Sequence, residues 1–89
     1  MAGPSTTWHV EISFSEDVNH TDAVAVLRTP DDREHRGYGQ ARRNPADRPA
    51  PLIGEEVASA RALSNLAHEL LESAATQIEA NVQRRDPAV

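Results

Sequence analysis

Trp8, Val10, Ile12 and Phe14 alternate with His9, Glu11 and Ser13. A period of two marks a strand with one buried face, and it predicts a strand over residues 7–14. The polar stretch 15–21 reads as a loop. Ala23 to Leu27 is an unbroken apolar run, too short for an independent helix. Its β-branched valines predict a strand over 22–28. Thr29-Pro30-Asp31-Asp32 reads as a turn, because proline pre-sets φ and aspartate can bond its own backbone. A third strand is predicted over 36–43, and Pro45, Pro49 and Pro51 keep a linker over 44–54 extended or turn-like.

Residues 55–83 carry the clearest periodicity. Val57, Ala60, Leu63, Ala67, Leu70, Leu71, Ala74, Ile78 and Val82 recur at helical spacing, with Arg61, Asn65, Glu69, Glu72, Thr76 and Glu79 opposite them. Gly54 is placed as the N-cap, followed by Glu55 and Glu56 at the positive end of the helix dipole. Arg84 and Arg85 meet the negative end, and Pro87 stops the helix. The fold class is α+β: a three-stranded antiparallel meander packed by one long C-terminal helix. Residues 1–5 are expected to be a disordered N-terminus, 6–83 one domain and 84–89 a tail. Gly37, Gly39 and Ala41 share one face of the third strand, so the helix backbone can approach closely there.

Two lengths do not match. A helix over 55–82 is about 42 Å long, whereas a strand of about eight residues spans about 26 Å. The helix must kink or overhang its sheet, carrying Ile78 and Val82 at one end, or Val57 at the other, into water. Leu66 widens the apolar arc, and the second strand is apolar on both faces, Val24 and Val26 against Ala23, Ala25 and Leu27. An apolar surface of that size marks an interface. The expectation is a homodimer using Val24, Val26, Leu66, Ile78 and Val82.

Charge narrows the classes further. A formal net charge of −5 argues against a general nucleic-acid binder. The charge is uneven, though. Residues 35–48 hold Arg36, Arg42, Arg43 and Arg48 against Asp47 alone. All 9 basic residues are arginine, whose planar fork suits phosphate or carboxylate. Along the third strand, Arg36, Tyr38, Gln40 and Arg42 project from the face opposite the small residues. Two guanidinium groups flanking an aromatic ring can hold phosphate and stack a base. Arg36, Tyr38, Arg42, Arg43 and Arg48 are therefore the candidate nucleic-acid-binding residues, with an ordinary solvated, ion-paired face as the competing reading.

Enzyme chemistry is not indicated. His9, His20, His35 and His68 form no metal-ligand spacing, and Gly37-Tyr38-Gly39 lacks the third glycine of a dinucleotide fingerprint. No catalytic residue, metal, cofactor or small-molecule substrate is assigned. With no cysteine, no basic-apolar leader and no membrane-length apolar run, a cytoplasmic protein is expected.

Three segments carry a family resemblance: Trp8-His9-Val10-Glu11-Ile12-Ser13; Gly37-x-Gly39-x-Ala41-Arg42-x-Asn44-Pro45-Ala46-Asp47-Arg48; and Ile53-Gly54-Glu55-Glu56 through Ala60-Arg61-Ala62-Leu63-Ser64-x-Leu66. In these the chain resembles small actinobacterial proteins of a domain-of-unknown-function family whose best-known members belong to the hypoxic dormancy regulon. The resemblance implies a compact two-layer α/β sandwich, dsRBD-like or hibernation-factor-like, a homodimer, and a stress or dormancy role. Such proteins have been likened in shape to hibernation-promoting factors, which silence the small ribosomal subunit, so ribosomal RNA is the implied partner. Hibernation factors carry a helix between their first two strands, where this chain has room for a loop. The alternative is a protein-interaction module using the apolar and acidic helix surface, without nucleic acid.

Overall fold

The computed structural model describes residues 3–85, and side chains within the helix only as far as residue 83. Strands β1 (Val10–Glu16), β2 (His20–Arg28) and β3 (Glu34–Arg42) form one antiparallel sheet in the order β1-β2-β3. Helix α1 (Pro51–Arg85) lies across one face. The register pairs Ile12 with Ala25, and Ala25 with Gly37. Cross-strand partners share a face, so Val10, Ile12 and Phe14, then Ala23, Ala25 and Leu27, then Gly37, Gly39 and Ala41, all look toward the helix side.

The first hairpin is tighter than the polar run implies. β1 and β2 are joined by residues 17–19 alone, closed by Asp17 N–H to the His20 carbonyl at 2.9 Å and Asn19 N–H to Asp17 Oδ1 at 2.9 Å. Ser15, Glu16, His20 and Thr21 therefore belong to the ladder, not to a loop. Trp8 and His9 precede β1. The second hairpin turns through Thr29–Arg33, with Asp32 at φ 67° and its N–H on the Thr29 carbonyl.

The helix starts a full turn before the predicted cap. The Ala50 carbonyl accepts from Ile53 N–H at 3.0 Å and from Gly54 N–H at 3.3 Å. Pro51 takes the first helical position, where its missing N–H costs nothing. Gly54 is thus not the N-cap, and no acid stands in the first turn. Its smallness has a different use. A Cβ there would stand 2.9 Å from Thr21 Oγ1, so the glycine lets the first turn rest on β2. At the other end the helix runs on through Arg84 and Arg85. The expected stop at Pro87, like the disorder expected of residues 1 and 2, lies outside the described residues.

The buried helical face also differs from the predicted stripe. Ala58, Ala62 and Leu66 are buried, while Val57, Leu63, Leu71, Ile78 and Val82 are exposed. The reason is distance. A Cβ on Gly37 would lie 2.2 Å from the Ala62 carbonyl oxygen, and one on Gly39 would lie 2.3 Å from that of Ala58. Backbone this close to backbone admits only small side chains between them. The core is accordingly Ala23, Ala25, Leu27, Ala41, Ala58, Ala62 and Leu66, with Ile12 and Leu70 packed at its margin. Leu66, 3% exposed, is spent inside the protomer and is not available to a partner as predicted. Val24 and Val26 lie on the uncovered sheet face, half-buried.

The length mismatch is real. The 35-residue helix is about 52 Å long, and the molecule measures 66 × 34 × 21 Å. Beyond Ser73 every described helical side chain is exposed.

Candidate functional site

The predicted arginine set divides in two. Arg36 and Arg42 do share the uncovered sheet face with Tyr38, which is 62% exposed. Six residues of strand separate them, about 20 Å. Arg36 is committed to its neighbour, donating Nε–H to Glu34 Oε2 at 2.7 Å. That bond, ahead of all other influences, holds the Glu34 carboxyl below the ordinary carboxylate value and raises the Arg36 guanidinium. Arg28 donates to the other Glu34 oxygen at 3.1 Å and to Asp32 at 3.3 Å, and Arg33 pairs with Asp31 at 3.1 Å. This end of the sheet is an ion-paired surface.

The opposite end is built differently. Arg43 donates to the Val18 carbonyl at 3.3 Å, to Asn19 Oδ1 at 2.7 Å, to the Asn44 carbonyl at 3.4 Å and to the Asp47 carbonyl. It clasps the β1–β2 turn to the linker that follows β3. Arg61 donates to the Gln40 carbonyl at 2.7 Å, and Asn65 Nδ2–H to the Tyr38 carbonyl. These two side chains cover carbonyls along the outer edge of β3. Sequence periodicity put both on the solvent face of the helix. The missed signal is that only side chains flanking the buried stripe can reach over a strand edge. Arg42 and Arg48 have no carboxylate or hydrogen-bond partner among the described residues.

Arg42, Arg43, Arg48 and Arg61 all line one cavity of about 520 Å3, between the β1–β2 turn, the linker and the first turns of α1. Glu16, Asp17 and Asp47 line it as well. Of the predicted site residues, Arg42, Arg43 and Arg48 come together here, and Arg36 and Tyr38 do not. His35 is 7% exposed, with Nδ1 3.7 Å from Glu69 Oε1 across the sheet–helix contact. Among the described residues no three metal-ligating side chains cluster, and no helix is long and apolar enough to cross a membrane.

The architecture has a solved counterpart. The crystal structure of Rv2632c superposes with a TM-score of 0.80 at 37% identity, covering 91% of this chain and 95% of that one. Uncharacterized protein Mb1767 of Mycobacterium bovis is 47% identical over 73 residues, 82% of this chain and 77% of that protein. Uncharacterized protein Rv2632c of Mycobacterium tuberculosis is 38% identical over 78 residues, 88% of this chain and 83% of that protein. The family model described as Rv2632c-like matches residues 6–87. With model, relatives and fold in agreement, the chain belongs to the Rv2632c-like family.

Proposed function

We propose that this protein is a non-catalytic, cytoplasmic stress or dormancy protein that acts as a homodimer. One observation carries the dimer: β1 and the end of α1 present matching uncovered apolar surfaces. Val10 and Phe14 are exposed on the helix side of the sheet, because α1 lies over β2 and β3, and Trp8, just before β1, is exposed as well. The overhang from Ser73 to Arg85 is about 18 Å long and presents exposed Ile78 and Val82. β1 is about 23 Å long, and one of its edges is unpaired among the described residues. The overhang of one protomer fits the uncovered row of the other in length and chemistry. The core supports the same reading. It holds five alanines and two leucines, and a fully buried leucine contributes only about 2–3 kcal/mol. Sedimentation at micromolar concentration tests the reading. A dimer that falls apart in Ile78→Asp is expected, and a wild-type monomer overturns it.

The dormancy role draws on the family resemblance. A second reading, contact with the ribosome or structured RNA, is supported by Tyr38 standing exposed between arginines on the uncovered sheet face. Co-sedimentation with ribosomes should then weaken steeply with salt and be lost when Arg36, Arg42 and Arg48 become Gln. Salt-insensitive capture of another protein would favour the interaction-module alternative instead.

A further inference from the structure

The two edges of the sheet are unlike. On β3, Arg61 donates to the Gln40 carbonyl at 2.7 Å and Asn65 to that of Tyr38, so α1 side chains occupy the outer edge. Those two carbonyls fix the parity of the whole sheet. In an antiparallel ladder the N–H and C=O of one residue point to the same side, and those of the next residue point to the other. Tyr38 and Gln40 face outward, so their partners Val24 and Asp22 face β1 and bond Ser13 and Ser15. The turn bonds agree: Asp17 N–H reaches the His20 carbonyl at 2.9 Å, and Arg43 N–H the Asn19 carbonyl at 2.8 Å. Val10, Ile12 and Phe14 therefore aim their N–H and C=O groups out of the free edge of β1. Among the described residues nothing bonds to these groups.

We propose that this edge accepts an extended peptide of a protein partner as an added strand, with apolar and basic residues alternating along it. Added strands are held by main-chain bonds and selected by alternate side chains. On the helix side the newcomer lies beside Val10, Ile12 and Phe14, of which Val10 and Phe14 are exposed, so apolar residues fit that row. On the other side it lies beside Glu11, Ser13 and Ser15. Residues 10–17 include Glu11, Glu16 and Asp17 and no arginine or lysine. Among the described residues none of these acids stands within ion-pair distance of an arginine, and Glu55 adds a further carboxyl beside Glu16. Opposite charges facing each other across a strand pair stabilise it and like charges destabilise it, so basic residues suit the second row. A second copy of β1 would bring only acids to this edge, and RNA would bring phosphates. The site goes beyond the dimer reading. That contact is made by side chains above the sheet, and this one by main chain in its plane, so either can fail alone.

The test is fluorescence anisotropy of the full chain with labelled peptides of about eight residues, enough to span β1. One alternates valine and lysine, one alternates valine and glutamate, and one has the first composition arranged in two blocks. Saturable binding of the first is expected, about tenfold or more tighter than of the other two and weaker at high salt. Methylating every second amide nitrogen of the peptide separates main chain from side chain without touching the protein. The set that faces β1 should abolish binding, and the other set should leave it. On the protein, Phe14→Pro removes an outward N–H and no ladder bond, and should bind about tenfold more weakly than Phe14→Ala. Circular dichroism checks that both fold. Ile78→Asp, which should break the dimer, should bind the peptide as wild type does. No saturation up to about 1 mM, equal binding of the glutamate peptide, or equal effects of the two methylated sets overturns the proposal. So does a Phe14→Pro chain that is monomeric where Phe14→Ala is dimeric, which would give the edge to a second copy.

Discussion

Gly37 lies directly beneath Ala62: a Cβ on the glycine would stand 2.2 Å from the alanine's carbonyl oxygen and 2.3 Å from the Leu66 backbone nitrogen. Both obstacles are main chain in the middle of a helix, so neither can rotate away. Gly37→Ala must lift α1 from the sheet or break its register, and an unfolding midpoint in urea should report a loss of about 3 kcal/mol or more. Gly3→Ala is the control, since nothing lies within 4 Å of that position. Equal stability of the two variants would refute the close approach.

The edge of β3 depends on α1 in the same way. Asn65 donates to the Tyr38 carbonyl. Asn65→Ala should cost about 1 kcal/mol, the usual net worth of one hydrogen bond. It also bares part of a strand edge, so faster aggregation on mild heating is expected. Light scattering alongside the melt checks both.

Glu16 and Glu55 bring two carboxyls together at the start of the helix. Partial desolvation, then the charge and hydrogen bond of Glu55, raise the Glu16 carboxyl above 4.5, and a hydrogen bond with Thr21 opposes them. A raised value means the folded chain holds the proton more tightly than the unfolded one. The pair's contribution is therefore present below the ordinary carboxylate value and lost as pH rises through the raised one. Glu16→Gln should stabilise the protein at pH 7 relative to wild type, and much less so at pH 4. Urea midpoints at the two pH values decide it, and an identical difference at both would remove the repulsion from the account.

Asp32 is the one described non-glycine residue with positive φ, at 67°. Glycine adopts that geometry without strain, at the loss of an exposed pair between Asp32 and Arg28 that is worth little. Asp32→Gly should gain about 0.5 kcal/mol, and Asp32→Ala should lose a comparable amount. The melting temperatures should rank Gly, Asp, Ala.

Truncation after Ser73 separates fold from association. Leu66 and Leu70 remain, so the sheet–helix core should survive, with the helical circular dichroism signal falling only by the share of helix removed. The overhang is gone, and sedimentation should give a monomer. A truncated chain that still dimerises would move the interface away from α1.

The meander, the long helix and its excess length were legible in the chain, because each rests on local alternation, turn chemistry or chain geometry. So was the contact face of β3, since glycine alternating with glycine and alanine needs only the two-residue period of a strand. Boundaries were less legible. Ser15, Glu16, His20 and Thr21 look like loop, and joined the ladder because a three-residue turn brought their backbones into register. Gly54 looks like a cap, and became a packing contact because Thr21 lies under it. The helical stripe was misread for a physical reason. Periodicity weighs hydrophobicity, which favours Leu71, Ile78 and Val82, whereas burial followed closeness, which favours Ala58 and Ala62. The arginine cavity was out of reach altogether. Arg42, Arg43 and Arg48 were visible as a cluster, but Arg61 joins them from a distant part of the chain. Which arginines stand within ion-pair distance of a carboxylate depends on where Glu34, Asp31 and Asp32 come to lie. Local sequence determines elements and their periods; only the packed tertiary structure decides which face is close enough to be buried and which charges meet a partner.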